Sequence, residues 1–185
     1  MRKLNKMVNT SEQYQHVISI CREVYQKKMK DYGTAWRIMR PISITDQIYI
    51  KANRIRSIEM KGTQLIGDDI RGEFIGIINY SIMGLIQLEL GIAEKPEMNH
   101  SEALSLYDKE FLVAQHLMEQ KNHDYDEAWR SMRISSYTDL ILMKINRIRQ
   151  IEDNLGKTIM SEGIDANYLD IINYAVFGLI KLEFN

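Results

Sequence analysis

The stretch KDYGTAWRIMR, Lys30 to Arg40, returns as HDYDEAWRSMR from His123 to Arg133. That recurrence decides how the chain is read. Displaced by 93 residues, the DY, AWR, MR, TD, K, NRIR and IE elements between Asp31 and Glu59 all reappear. Displaced by 94, IINYSIMGLIQLEL (Ile77 to Leu90) falls on IINYAVFGLIKLEF (Ile171 to Phe184). Self-similarity of this length marks an internal duplication. The first repeat covers 1–91 and the second 100–185, joined through GIAEKPEMN, which holds one of only two prolines.

Working outward, each copy reads as helical. Apolar residues recur at three and four rather than two, and glycine and proline are sparse. The first long helix carries Tyr14, Val17, Ile18, Cys21, Val24 and Tyr25 on one stripe, with Ser11 as its expected cap, and its counterpart follows Ser101. The AWR.MR stretch forms a short turn ended in the first copy by Pro41. Ser43 or Thr45, and Ser136 or Thr138, are the expected caps of the second long helix. Gly62 to Asp69 and Leu155 to Gly163 read as loops, and a last helix carries IINY. The expected fold is all-α: a pseudo-twofold helical bundle with about three long helices and one short helix per copy. The two copies pack as one compact domain because three helices cannot readily bury all their stripes alone.

With 24 Lys and Arg against 25 Asp and Glu, the net charge is −1, so no global field holds the chain on nucleic acid or an anionic bilayer. Nucleic acid is a weak expectation as a partner, with only KANRIR and KINRIR as short basic stretches. No apolar run approaches the roughly 20 residues that span a membrane, and the basic N-terminus lacks an apolar stretch after it. One cysteine, Cys21, forms no intramolecular disulfide and fits a reducing, cytoplasmic setting. The four histidines show no metal-binding spacing, and neither a nucleophile elbow nor a phosphate-cradling glycine loop is present.

Chemistry is therefore sought in residues that break the apolar arcs. On the second long helix Lys51 falls among Ile44, Ile48, Ile55 and Ile58, with Glu59 at the edge, and Lys144 and Glu152 repeat the pattern. Glu89 and Glu183 fall inside the arc of the last helix, with Asn79 and Asn173 at its margin. A buried charge without a partner costs several kcal/mol, so these residues imply a polar cluster between helices. One reading is structural: the lysines pair with glutamates of neighbouring helices. The other is functional: carboxylates bind a divalent cation and the basic groups hold phosphate. Asp46, Asn53 and Arg54, with Asp139, Asn146 and Arg147, line the opposite face as a solvated surface, or as metal ligand and phosphate clamp. Trp36 and Arg40, like Trp129 and Arg133, either stack a base and neutralise phosphate or plug a corner of the bundle.

The order DYG..W, D....K.NR and D..NYA resembles the family called nucleotide modification associated domain 1, across most of each copy. The resemblance implies an association with nucleotide or base modification. A fainter similarity is to the all-α nucleoside triphosphate pyrophosphatases, which hold magnesium with carboxylates from two helices and are often dimers or internal duplications. It implies a nucleotide ligand and puts Asp170 in the place of that superfamily's last metal-binding acid; joined to the residues above, the expected site has Mg2+ held by Asp46, Asp139 and Asp170, and catalysis by these with Glu59 and Glu152. A homodimer is compatible with it. Lys51, Asn53, Arg54, Lys144, Asn146, Arg147, Asn79 and Asn173 would then contact substrate. The EExxE signature of that superfamily is missing, and Asp170 of the second copy faces Gly76 in the first. The competing expectation is a non-catalytic helical interaction module.

Overall fold

The computed structural model describes residues 9–62 and 69–184. Six long helices form: α1 Thr10–Tyr32, α2 Pro41–Lys61, α3 Ile70–Leu90, α4 His100–Tyr125, α5 Ile134–Asp153 and α6 Ile164–Phe184. Short 3-10 turns at Ala35–Ile38 and Ala128–Ser131 follow α1 and α4. Each copy thus has three long helices and one short one, as the periodicity predicts, and no strand occurs among the described residues. Part of the expected first loop, positions 63–68, and the basic residues 1–8 lie outside the described residues.

The helix starts differ from the expected ones. Asn9 and Asn99, rather than Ser11 and Ser101, cap α1 and α4, accepting from the backbone N–H of Ser11 and Glu102. An asparagine two residues earlier satisfies an N–H that the helix leaves open. Neither Ser43 nor Thr45 caps α2, which begins with Pro41, a residue whose fixed φ suits the first helical position. Thr45 and Thr138 are instead fully buried inside the bundle.

Helices α2, α3, α6 and α5 form a central four-helix bundle in which α2 also packs on α5, and α1 and α4 pack against α3 and α6. Three pairs run antiparallel across the pseudo-twofold axis. Glu59 near the end of α2 meets Thr138 near the start of α5, and Glu152 meets Thr45 in the mirror relation. Arg22 of α1 makes a two-pronged ion pair with Asp108 of α4. Arg71 at the start of α3 pairs with Glu183 at the end of α6.

Close approach of α3 and α6 depends on two glycines. A Cβ at Gly84 would lie 2.9 Å from the Tyr168 ring, and one at Gly178 would lie 3.0 Å from the Phe74 ring. The missing side chain at each lets an aromatic ring of the other copy rest on the helix backbone. Helix α3 is long and apolar enough to span a bilayer by length and composition, contrary to the reading of apolar runs, which Arg71, Glu73 and Glu89 interrupt. Two-thirds of that stretch, 67%, is buried inside the bundle, as befits a central core helix.

Candidate functional site

Several polar residues inside the apolar arcs serve as cross-braces between the copies. Asn79 of α3 donates to the Cys21 carbonyl and accepts from the Tyr107 hydroxyl at 2.8 Å. Asn173 of α6 donates to the Ala114 carbonyl and accepts from Tyr14 at 2.7 Å. Each amide therefore joins α1, α4 and a central helix, and its donor and acceptor are both engaged within the fold. Glu59 and Glu152 bond Thr138 and Thr45, each at 3.1 Å. Burial pushes both carboxyl groups above the usual range, with the threonine bond pulling the other way. Tyr168 adds a hydroxyl 2.7 Å from Thr45. The first-copy counterpart, Phe74, has none.

The carboxylates expected to gather around magnesium are engaged separately. Asp46 pairs with Arg149 at 2.7 Å on an exposed face, Asp139 lies 3.8 Å from Arg56, and Asp170 sits between two lysines. Glu89, expected inside an apolar arc, is exposed at the last turn of α3, where it pairs with Lys109 at 2.7 Å. Among the described residues no three His, Cys, Asp or Glu side chains group closely enough to hold a metal ion. This donor set does not fit the magnesium site that the pyrophosphatase similarity implies. Asn53, Asn146, Arg40, Arg133 and Arg147 are exposed.

The lysines divide the two copies. In the second, Lys144 and Lys121 lie 2.6 and 2.5 Å from the two oxygens of Asp170. Burial would raise the Asp170 carboxyl, but the bonds to Lys121 and then Lys144 outweigh it and hold the carboxyl below its ordinary range. The equivalent lysines of the first copy are Lys28 and Lys51, and Gly76 stands where the aspartate would be. A Cβ at Gly76 would lie 2.6 Å from Lys51 Cε, so the glycine lets the lysine stem lie against α3. The nearest acid, Glu73, sits one turn earlier. It is bound tightly by Arg54 and is 3.4 Å from Lys51. In the second copy Asn167 takes the place of Glu73 and bonds the Gly163 carbonyl instead. Lys28 has no ion-pair partner among the described residues, and Lys51 lies 5.8 Å from the centre of the Tyr80 ring.

Beside these lysines a cavity of about 350 Å3 opens between the end of α1, the first corner and α3. Tyr25, Tyr32, Trp36, Tyr80, Met39 and Met83 supply much of its wall, with Lys28 and Lys51 as its charged lining and no carboxylate. The volume is at the small end of the roughly 300–1,000 Å3 usual for ligand sites, and an apolar wall with few polar groups is their usual make-up. Trp36 and Tyr25 are 7% and 2% exposed. Burial pushes the Tyr25 hydroxyl up, and the neighbouring Trp36 indole N–H acts in the opposite direction. The pair falls short of hydrogen-bond geometry, and both polar atoms are buried without a partner.

Residues 28–88 and 121–182 each match the model of a known family, nucleotide modification associated domain 1. The chain belongs to this family. No curated protein and no solved structure matches it significantly. The matched segments begin at Lys28 and at its counterpart Lys121, and run through the corner into the last turn of the last helix. The nucleotide modification associated domain 1 segments thus contain both lysine pairs and both corners, while Tyr25 is supplied from the helix just before the first.

Within these two domains both tryptophans are buried at the corners. Gln87 bonds the carbonyls of Arg37 and Met39, and Lys181 does the same to those of Arg130 and Met132. Trp129 stacks on Phe177 with ring centroids 4.4 Å apart, so that face is taken, whereas Trp36 lines the cavity. Sequence reasoning missed Lys28 and Lys121, although they repeat at the same offset as the DY motif. It also read Tyr25 only as core. Their role depends on α1 and α3 meeting, which no spacing within one helix reveals.

Proposed function

We propose that this protein binds a nucleotide through its phosphate, at Lys28 and Lys51 of the first copy, with the rest of the ligand entering the adjoining cavity. The observation that carries this reading is Gly76. The second copy neutralises its lysine pair with Asp170, whereas the first copy offers the same pair without that acid. A phosphate oxygen in place of the missing carboxylate completes the arrangement, as charge-assisted bonds of about 1.5–3 kcal/mol each. Membership of a family named for nucleotide modification supports a nucleotide over a simple carboxylate. Hydrolysis is no part of the proposal, since the carboxylates are engaged separately with cations or threonines.

Isothermal titration of the intact chain with inorganic phosphate and with nucleoside 5′-monophosphates, di- and triphosphates tests it. The expected result is saturable binding that weakens in Lys51→Met and Lys28→Met. Absence of binding by every phosphate ligand, or binding indifferent to both substitutions, overturns it.

A further inference from the structure

The second copy fills its own version of the cavity with two side chains. Phe177 lies flat on Trp129, at 4.4 Å and 8° between ring planes, and Asp170 lies between Lys121 and Lys144. Together they place a planar ring against the tryptophan and an anion on the lysines. The first copy has Met83 in place of Phe177 and Gly76 in place of Asp170, and the cavity is found there. The same two positions are trimmed together. At the floor of the cavity, the second copy's Met118 is replaced by Tyr25, which adds a buried hydroxyl without a hydrogen-bond partner, whereas the indole N–H is unpartnered in both copies. A buried donor left unpaired costs free energy that a ligand acceptor recovers.

We infer that the first copy takes a heteroaromatic base stacked on Trp36, where the second copy places Phe177, with the base edge hydrogen-bonded by the Tyr25 hydroxyl. This rests on the phosphate reading above and names the other end of the ligand: a nucleobase joined to a phosphate. A sugar phosphate without a base satisfies the lysines but leaves the ring position and the Tyr25 hydroxyl unfilled. The second copy is closed to the same ligand, because Phe177 and Asp170 already stand in both positions.

The test compares nucleoside 5′-monophosphates carrying purine or pyrimidine bases with ribose 5-phosphate, by calorimetry on the intact chain. At least one nucleotide binds more tightly than ribose 5-phosphate by about 5- to 150-fold, the range commanded by stacking one base on an aromatic side chain. Met83→Phe, which copies the second repeat, removes that excess and leaves ribose 5-phosphate binding in place. Tyr25→Phe, with no change of shape, weakens the nucleotide several-fold and not the sugar phosphate, and covers the case in which Met83→Phe does not fold. Equal affinities for ribose 5-phosphate and all nucleotides overturn the inference while the phosphate reading stands. So does an excess that survives both substitutions. No binding by any phosphate removes both.

Discussion

Replacing Gly76 with aspartate gives the first copy the acid that the second already has. A Cβ at this position starts 2.6 Å from Lys51 Cε and 3.0 Å from its Nζ, so the lysine must swing aside. It can do so because the obstructing atoms are the far end of a flexible chain. The second copy shows where the groups settle, with carboxylate oxygens 2.6 and 2.5 Å from the lysine nitrogens. Since Lys51 is only loosely paired with Glu73 at 3.4 Å, the new carboxylate offsets much of its own desolvation, and stability should change by no more than about 1 kcal/mol. Phosphate binding has a different fate. Losing two charge-assisted bonds at ~1.5 kcal/mol each, the lower end of their range, removes ~3 kcal/mol, or roughly 100-fold in affinity. Calorimetric titration alongside thermal unfolding separates the two quantities. A Gly76→Asp variant that folds and still binds nucleotide with wild-type affinity refutes the reasoning.

Other perturbations act on the frame. Asp170→Asn strands Lys144, which is 6% exposed, and should cost about 3 kcal/mol in urea unfolding, the low end for a broken buried pair because Lys121 is half in water. Since the folded Asp170 carboxyl is held below its unfolded value, its stabilisation is present above the unfolded pKa and lost as pH falls through the folded one; the variant should show a shallower acid limb. Glu152 has the opposite sign: burial raises its folded carboxyl, so the group supports folding only below its unfolded pKa and loses that support as pH rises through the folded value. Glu152→Gln should raise stability at pH 7 by about 1 kcal/mol, or ~2–4 °C in Tm, and leave it unchanged near pH 3. Asn79→Ala orphans the Tyr107 hydroxyl and removes the second bond to the Cys21 carbonyl, which keeps its helical partner, and should cost about 2 kcal/mol in urea unfolding, with Asn173→Ala close to it.

The helices and the duplication were legible because they rest on periodicity and on residue identity between copies. Lys51 and Lys144 also announced themselves, as charges inside isoleucine arcs, and their carboxylate partners are Glu73 and Asp170. Relations between copies were not legible. Glu59 finds its threonine on α5 and Asn79 its tyrosine on α4, and nothing on one helix indicates which element of the other repeat will face it. Glu89 was misread because a wheel assigns a face without knowing where the packed partner ends. The cavity was hidden for another reason. It follows from what Gly76 and Met83 lack, and a missing side chain has no chemistry to notice until its counterpart, Asp170 or Phe177, is seen filling the same place.

On the proposal made above, the two copies have parted, one open to a nucleotide and one closed by its own side chains. Photo-crosslinking the intact chain with an azido-purine nucleotide, followed by peptide mapping, tests it most directly. The account predicts labelling confined to the cavity wall of the first copy, between Tyr25 and Trp36 or around Tyr80, and competed away by unmodified nucleotide. Labelling around Trp129 and Tyr174, or equal labelling of both copies, would contradict it.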